Sequence, residues 1–252
     1  MKRRPEPEYL LIDISNSFTK IATASRDALG RVRRLRTAGL TRQSFERLAR
    51  PGRRIVLSSV VPAKARLAIA AFRQPGELLV VSSSVKIGAG IDYPKPGTIG
   101  ADRLANAAAV HSLYGSPAVV VDFGTAVTFD IISRRGDYIG GVIAPGLEVM
   151  TDYLYQRTAL LPRIRPSEPA SAIGKSTRTA MLAGAVYGYR GLVREILAQV
   201  RRGLGGRRRP YVVATGGYAG LISAGLPEIK IVHPNLTLEG LRIIGNLNFD
   251  PS

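Results

Sequence analysis

The chain has 252 residues, 45% of them hydrophobic and 21% charged, a composition that fits an ordinary globular protein with an ample core. It contains no cysteine, which excludes disulfides, thiolate metal sites and a cysteine nucleophile, and which is compatible with a reducing compartment. No apolar run reaches the roughly 18 residues needed to span a bilayer, so we expect no membrane segment. Residues 1–8 are charged and lack the apolar region of a secretory signal, which predicts a cytoplasmic protein.

The formal net charge of +18 is the one unusual value, and two explanations compete for it. A strongly basic chain can bind nucleic acid, and a positive field also attracts a small anionic substrate. The densest basic groups lie within 31–36 and 201–209, and no aromatic residues interleave with them to stack on bases. The pattern therefore favours a solvated, arginine-rich surface over a nucleic-acid partner.

In the first half of the chain, apolar runs and turn residues predict alternating strands and helices. Extended segments are predicted over 9–14, 18–24, 31–36, 55–57 and 78–81, the second and third forming a hairpin. Helices are predicted over 44–49 and 63–72, the latter opened by Pro62. A loop rich in glycine and proline, 88–100, then leads into a helix that runs from Asp102 to Leu113.

The segment Gly115-Ser116-Pro117 marks the boundary that we predict between two domains. Beyond it the pattern predicts strands over 118–122, 127–132, 138–143, 211–214 and 229–232. It predicts helices over 147–160, 176–200 and 237–247, and a short helix after Gly217. Because strands and helices follow in the same order in both halves, we predict two packed α/β domains, 1–115 and 116–252, with a central cleft.

One short pattern occurs twice in the chain. An apolar run ends in an aspartate at 10–13 and again at 119–122, and small or polar residues follow at 15–17 and 124–126. Small residues let backbone N–H groups approach a phosphate, and the carboxylate can hold the accompanying cation. Each aspartate could instead only accept N–H bonds of its own turn. Two copies in matching context favour a nucleotide bound between the halves.

A second motif, Gly100-Ala101-Asp102-Arg103, has the residue types that phosphoryl transfer to an alcohol needs. Asp102 stands at the start of a helix, after a flexible loop, and suits a base that takes the hydroxyl proton. Arg103 offers a planar fork to a substrate carboxylate. From the tetrapeptide alone an alternative stays open. In it, Asp102 is only an acidic residue that the helix dipole favours at the N-terminus, and Arg103 lies at the surface.

Taken in order, the motifs of this chain resemble those of the type III pantothenate kinases, in the actin-like, sugar-kinase and Hsp70 superfamily. The segments that carry the resemblance are 13–17 with Lys20, 58–62, Tyr93, 100–103, 122–126, 140–141, 145–146, 158–162, 174–177 with Gly184, 216–217 and 236–241. The resemblance implies an α/β fold of two tandem RNase H-like domains, as in actin-like ATPases. Domain 1–115 would carry the first phosphate turn and the pantothenate loop. Domain 116–252 would carry the second phosphate turn, the adenosine region and a dimer helix.

The resemblance also implies an activity, the ATP-dependent phosphorylation of pantothenate to 4'-phosphopantothenate, which is the first step of coenzyme A biosynthesis. It implies Mg²⁺ and a monovalent cation, K⁺ or NH₄⁺, as cofactors, and a homodimer with a shared active site. Asp102 would be the proton acceptor, and Thr177 would reach the pantothenate of the neighbouring subunit.

The resemblance assigns site residues in three groups. The substrate-binding residues it implies are Tyr93, Gly100, Ala101, Asp102, Arg103 and Thr177. The ATP-binding residues are Asp13, Ile14, Ser15, Asn16, Ser17, Phe18, Thr19, Lys20, Thr125, Gly216 and Gly217. For the metals, Asp122 would hold the monovalent cation and Asp13 the Mg²⁺ that accompanies ATP.

Several alternatives stand beside these assignments. Ser15 and Ser17 replace the glycine and threonine that are usual in the family, and Ser15 fits without strain only if its φ is negative. Lys20 adds charge to the site only if its side chain does not point away from Asp13, and Thr177 could simply cap its own helix. A second function stays open, that of a catalytically weakened relative acting as a regulatory or nucleic-acid-associated factor. A third is a related kinase for another small alcohol.

Overall fold

The computed structural model describes residues 8–72, 78–206 and 208–249. Residues 1–7, on which most of the expectation about a secretory signal rests, lie outside this part of the chain, as does Arg207 of the second basic group. Contacts between Cα atoms divide the chain into two units. Unit 1 comprises residues up to 115, the segment 135–139 and the residues from 235 onwards, and unit 2 comprises 116–134 and 140–234.

The strands in chain order are β1 Tyr9–Ile14, β2 Phe18–Ala24, β3 Leu29–Arg36, β4 Arg54–Ser59, β5 Leu78–Val80, β6 Gly90–Ile91, β7 Ala118–Phe123, β8 Ala126–Ile132, β9 Asp137–Pro145, β10 Tyr211–Gly216 and β11 Ile231–Val232. The α-helices are α1 Arg42–Glu46, α2 Pro62–Ala71, α3 Ala101–Tyr114, α4 Leu147–Arg157, α5 Thr177–Leu204, α6 Ala219–Ser223 and α7 Leu236–Phe249. None of the helices in the described ranges is long and apolar enough to cross a membrane.

Unit 1 is built on a five-stranded sheet in the order β3-β2-β1-β4-β5. Strand β1 pairs antiparallel with β2 and parallel with β4. One face of β1 carries Leu10 and Ile12 into a core that also contains Phe45 of α1 and Ala68 of α2. On the opposite face, α7 contacts β1 and β4, and the ring of Tyr9 stacks on that of Phe249 at 6.1 Å between centroids.

The close packing of α7 on α3 requires a glycine in α7. A Cβ on Gly240 would lie 1.9 Å from the carbonyl oxygen of Ala105, a distance that no side chain can occupy. The buried hydroxyl of Thr237 donates to Oδ1 of Asn106 at 2.9 Å across the same contact. Helix α7 is therefore an integral part of the core of unit 1.

Unit 2 contains strands in the order β11-β10-β7-β8-β9, with β7 antiparallel to β8 and parallel to β10. Alternate residues of β7, Val119 and Val121, pack in a core with Tyr189, Val193 and Leu197 of α5. The first residues of β9 belong to unit 1, where Asp137 and Tyr138 pair in parallel with Gly90 and Ile91 of β6.

Most elements appear where the sequence predicts them. The short strand β6 lies in the segment 88–100, which is predicted as a loop, and the other differences lie at element ends. Helix α1 begins earlier than predicted because Thr41 and Ser44 form a capping box. Helix α4 ends at Arg157 and not at residue 160, since Thr158 is extended. Helix α5 continues past residue 200 to Leu204, before Gly205 with φ 59°. Strand β11 is shorter than predicted, with only Ile231 and Val232.

The domains predicted from the sequence, 1–115 and 116–252, stay predictions. The contact-based units change after Gly115, as that prediction does, but they place residues from 235 onwards with unit 1. The reason is physical, because the buried face of α7 packs on α3, β1 and β4.

Candidate functional site

The first aspartate turn, between β1 and β2, is a tight connection of three residues, 15–17. The N–H of Ser15 donates to the carbonyl oxygen of Phe18 at 3.2 Å. Thr37, which follows β3, braces the turn from the side. Its hydroxyl donates to the carbonyl oxygen of Ser15 at 2.7 Å, and its N–H donates to that of Ser17 at 3.1 Å. Asn16 and Ser17 remain exposed at the tip, where their polar groups can meet a ligand.

Ser15 fits its turn without strain only if its φ is negative, and it is. No non-glycine residue in the described ranges has a positive φ, so a side chain at position 15 causes no backbone strain. The usual glycine of the family is therefore not required by the conformation of this turn.

Asp13 lies at the carboxyl end of β1 and is only 5% exposed. Lys20 stands directly opposite on β2, and Ser58 stands opposite on β4. Side chains of directly paired residues lie on the same face of a sheet, so Lys20 does not point away from Asp13. The hydroxyl of Ser58 donates to Oδ1 of Asp13 at 3.1 Å. The carboxylate is thus held in place by a neighbouring strand.

The remaining residues of the 13–20 segment differ in what they can offer a ligand. Ile14 belongs to the hydrophobic core, and buried Thr19 lies 3.0 Å from the hydroxyl of Thr37. Only the backbone of these two residues could contact ATP. The ring of Phe18 is half-buried beneath the guanidinium of Arg34, whose Cζ lies 3.5 Å from the ring centroid.

The second aspartate turn, between β7 and β8, has the same strand neighbours as the first but is one residue shorter. Asp122 stands opposite Thr128 on β8 and opposite Thr215 on β10. The N–H of Gly124 donates to the carbonyl oxygen of Ala126 at 3.1 Å and closes the turn. Thr125 is exposed at the tip. The duplicated pattern of the sequence therefore corresponds to a duplicated local structure.

Glycines take the place of side chains around this second turn. A Cβ on Gly146, at the start of α4, would lie 2.2 Å from the carbonyl oxygen of Thr125. Gly216 has φ 92°, and a Cβ there would lie 2.6 Å from Oδ1 of Asp122. Gly217, by contrast, is exposed and has open space where a side chain would be. Backbone atoms therefore approach the Asp122 carboxylate closely.

Thr215, beside this turn, has a buried hydroxyl without a hydrogen-bond partner among the described residues, whereas the equivalent Ser58 donates to Asp13. A buried hydroxyl without a partner costs about 1–3 kcal/mol, so this atom fits a turn that binds a cation or a phosphate. The described residues contain no cluster of three or more acidic, histidine or cysteine side chains that could hold a metal. A cation would therefore need phosphate oxygens and water beside a single carboxylate.

Asp102 lies in the first turn of α3, after Gly100 at the N-cap and the buried Ala101. Its Oδ1 accepts a hydrogen bond from the N–H of Arg103 at 2.8 Å. Burial raises the pKa of the Asp102 carboxyl, against the lowering effect of the N–H and the guanidinium of Arg103. A raised pKa makes the carboxylate a better proton acceptor than an exposed aspartate.

Contacts within unit 1 bring Asp102 towards the first aspartate turn. The N–H of Val60 donates to the carbonyl oxygen of Ile14 at 3.1 Å, and Cγ1 of Val60 would lie 3.5 Å from a Cβ on Gly100. The start of α3 thus lies beside the carboxyl ends of β1 and β4, at the sheet edge where Asp13 is found.

The predicted substrate residues Tyr93 and Arg103 meet at a residue that the sequence analysis missed. The buried ring of Tyr138 lies 6.0 Å from that of Tyr93, edge to face, and 5.6 Å from Cζ of Arg103. The N–H of Asp92 donates to the carbonyl oxygen of Tyr138 at 3.0 Å, which ties the loop to β9. In the sequence, Tyr138 looks like any aromatic strand residue, so no local signal distinguishes it.

Thr177 is the first residue of α5 and is exposed. The alternative that it caps its own helix is wrong, because Ser176 is the N-cap and accepts from the N–H of Thr179 at 3.3 Å. The side chain of Thr177 is not needed for capping, and its assignment to substrate rests on the resemblance.

Solved structures show the class of fold. MreB 5 of Spiroplasma citri, solved with AMPPNP, superposes with a TM-score of 0.53 at 12% identity, covering 97% of each chain. A Campylobacter jejuni protein assigned to the Baf family of transcriptional activators gives a TM-score of 0.64 at 20% identity, covering 95% of this chain and 98% of that one. At these identities the likeness shows the fold alone. The chain has the α/β fold of the actin-like ATPases and sugar kinases, as predicted.

Sequence comparison then narrows the class to one family. The sequence profile of the type III pantothenate kinases matches residues 9–199. A type III pantothenate kinase of Akkermansia muciniphila is 51% identical over 243 residues, which cover 95% of this chain and 99% of the relative. The chain belongs to the type III pantothenate kinase family and is an enzyme of the kinase class. The resemblance read from the motifs is confirmed.

Proposed function

We propose that this chain transfers a phosphoryl group from ATP to the terminal hydroxyl of pantothenate and so forms 4'-phosphopantothenate, the first step towards coenzyme A. The observation that carries the proposal is the arrangement in unit 1. There Asp102, with its raised pKa, starts α3 beside the sheet edge that holds Asp13. None of these observations favours a regulatory or nucleic-acid-associated factor.

In this proposal Asp102 accepts the proton of the substrate hydroxyl. The hydroxyl oxygen bonds to the γ-phosphorus of ATP, and the bond from that phosphorus to the oxygen of the leaving ADP breaks. Arg103 pairs with the pantothenate carboxylate through its guanidinium. The ring of Tyr138, 5.6 Å from Cζ of Arg103, restricts that guanidinium, and Tyr93 borders the same place. The substrate is thus held at its carboxylate end while its hydroxyl is activated.

The two aspartate turns are assigned to ATP and its cations. Asp13 would hold Mg²⁺, and the 15–17 turn with Lys20 would donate to phosphate oxygens. Asp122 would hold K⁺ or NH₄⁺, with the exposed Thr125 on ATP and Gly216-Gly217 near the adenosine. The bound Mg²⁺ would supply neutralisation of the charge that develops on the phosphoryl group. Two observations support this assignment: the buried hydroxyl of Thr215 has no partner in the part of the chain that the structure describes, and glycines line the second turn.

The function is tested by ADP release from purified protein with ATP, Mg²⁺ and K⁺, with and without pantothenate. We expect release that depends on pantothenate, and a panel of other small alcohols controls for substrate identity. Absence of pantothenate-dependent release under these conditions refutes the activity. Omitting K⁺ tests the cation assignment separately from the reaction. The cytoplasmic location predicted from the charged residues 1–8, which lack the apolar region of a secretory signal, belongs to the same proposal.

We also propose a homodimer that forms through the surface of α4 and the first half of α5. Large apolar side chains are exposed there, among them Tyr153 at 57%, Tyr155 at 48% and Leu154 at 43%. On α5 a Cβ at Gly184 or Gly188 would meet nothing within 4 Å, so the residues that the structure describes leave that face of the helix uncovered. An exposed apolar surface of this kind is typical of a protein interface, and a second copy of the chain, packed about a two-fold axis, would bury it.

In the dimer, Thr177 would complete the pantothenate site of the other copy. Light scattering and turnover of Tyr153→Asp test the interface. We expect a monomer with impaired turnover. A wild-type protein that is strictly monomeric while turning over contradicts the shared site.

A further inference from the structure

Unit 2 contains a cavity of about 500 Å³ that no part of the proposed reaction uses. It opens at the amino-terminal ends of β10 and β11, next to the last turns of α5. Its lining includes three basic side chains, one acid and an apolar wall, contributed by Arg201, Arg209, Lys230, Glu228, Tyr211 and Ile231. We call this space the basic cavity. Its volume lies within the range of small-molecule sites and far exceeds that of a single inorganic ion.

The electrostatic balance of the basic cavity is positive. Glu228 is the acid in its lining, and its Oε1 already lies 3.5 Å from Nε of Arg194, outside the lining. The charges of Arg201, Arg209 and Lys230 are therefore offset only in part by the cavity's own acid. Nε of Arg201 is buried and has no acceptor among the described residues. Like charges gathered in one concave space repel each other, and a bound anion would relieve that repulsion.

The position of the basic cavity separates it from the second aspartate turn. Strand β10 begins at Tyr211 in the cavity wall and ends at Gly216 beside Asp122. At about 3.3 Å per residue, these two ends are roughly 17 Å apart. The basic cavity therefore lies at the opposite edge of the sheet from the turn assigned to the nucleotide.

We propose that the basic cavity is a second binding site, for an organic phosphate. Three cations against one acid, whose Oε1 lies near Arg194 while its Oε2 has no hydrogen-bond partner among the described residues, leave a positive balance. This balance favours a ligand with two or more negative charges, which a phosphate ester or diphosphate carries near pH 7 and a simple carboxylate does not. The apolar wall formed by Tyr211, Val212 and Ile231 suits an organic part such as a ring. The proposal does not depend on the substrate of the kinase reaction.

The sequence offers a local reporter for this site. The chain has no tryptophan, so Tyr211→Trp places a single indole at a position that is 41% exposed in the cavity wall. Its fluorescence is titrated with ADP, with inorganic pyrophosphate and with adenosine. We expect a saturable response to ADP, a weaker one to pyrophosphate and none to adenosine. Because the indole lies at the far end of β10, nucleotide bound at the Asp122 turn should not produce this response.

Charge-removing variants in the Tyr211→Trp background identify the ligand's partners. We expect Arg201→Gln combined with Lys230→Gln to weaken ADP binding by about tenfold or more, as the loss of charged hydrogen bonds predicts. Arg202→Gln, the exposed neighbour that does not line the cavity, should leave binding unchanged, and circular dichroism confirms that each variant is folded.

Three results overturn the proposal. One is the absence of any response to ADP at millimolar concentration. Another is a response that survives in the double variant. The third is equal affinity for pyrophosphate and ADP, which would mean that only charge is bound and that the apolar wall has no role.

Discussion

The two aspartate turns have the same strand pairing, with one antiparallel and one parallel neighbour, yet they are completed in different ways. In unit 1, side chains complete the turn, because Ser58 donates to Asp13 and Thr37 braces the loop. In unit 2, backbone completes it, because glycines approach Asp122 and the hydroxyl of Thr215 has no partner in the described residues. Both turns thus place a carboxylate at the end of the central strand, while the neighbouring hydroxyl is bonded in unit 1 and has no partner among the described residues in unit 2.

The largest effect on turnover is expected from replacing Asp102, the carboxylate at the start of α3 in unit 1. Asp102→Asn should lower turnover by about 10²–10⁴-fold because the proton acceptor is lost, while pantothenate binding through Arg103 persists. In the wild type, turnover should fall as pH drops through the raised pKa of Asp102, which lies above 3.8, and the variant should lack this dependence. Steady-state kinetics over pH and calorimetric binding of pantothenate measure both. Unchanged turnover in the variant would remove Asp102 from its role.

The raised pKa of Asp102 also predicts how the stability of the protein depends on pH. Because burial raises the folded-state pKa of Asp102 above its unfolded value of 3.8, stability falls as pH rises from 3.8, and the full loss is reached above the folded-state pKa. Asp102→Asn should therefore be more stable than wild type at neutral pH, and the difference should vanish in acid. Urea unfolding at both pH values checks the sign. A variant that is less stable at neutral pH contradicts the assigned cause.

Replacing Gly146, which packs against the second turn, should cost more stability than replacing the exposed Gly217. Gly146→Ala should destabilise the protein by about 3 kcal/mol, because the new Cβ would overlap the carbonyl oxygen of Thr125. Gly217→Ala is the matched control and should change the free energy of unfolding by less than about 0.5 kcal/mol, since open space surrounds that residue. Urea denaturation compares the two. Equal effects would mean that backbone approach does not define this turn.

The two strand hydroxyls provide the most direct test of the comparison. Ser58→Ala should lower stability by about 1–3 kcal/mol, because it removes a donor from the buried carboxylate of Asp13. Thr215→Val should raise the free energy of unfolding of the ligand-free protein by about 1–3 kcal/mol, because it removes a buried hydroxyl that has no partner among the described residues. It should also raise the K⁺ concentration needed for ATP binding, measured by calorimetry. If Thr215→Val costs as much stability as Ser58→Ala, the difference between the turns is not real.

The smallest effect is expected from restoring the family's usual residue in the first turn. Ser15→Gly should lower stability by about 0.4–1 kcal/mol, because glycine gives the unfolded chain more freedom while the native φ needs none. ATP affinity should not change. A marked gain in affinity would show that the serine side chain obstructs the phosphate.

Sequence patterns are sufficient for the local features of this molecule. The apolar runs before Asp13 and Asp122 locate β1 and β7, and the small residues after them locate both turns. Residues that act through long-range pairing escape such patterns. Ser58 meets Asp13 from 45 positions away, through a parallel pairing that no local signal encodes.

The same limit applies to larger pieces of the chain. Tyr138 gains its place between Tyr93 and Arg103 because β9 pairs with β6 in the loop before α3. The return of α7 to unit 1 depends on Gly240 and Thr237, whose partners Ala105 and Asn106 lie more than 130 positions earlier. Helix ends were also misplaced, because single capping residues such as Thr41 decide them.

The packing of α7 has a consequence for how the protein is made. A ribosome translates the whole of unit 2 before it reaches α7, so the nascent first unit must wait with the α3 surface around Ala105 uncovered. Until the last helix emerges, that surface is an apolar face open to chaperones and to other chains. The unit that carries Asp102 therefore gains its full core only after a helix that follows unit 2 in the chain has been made.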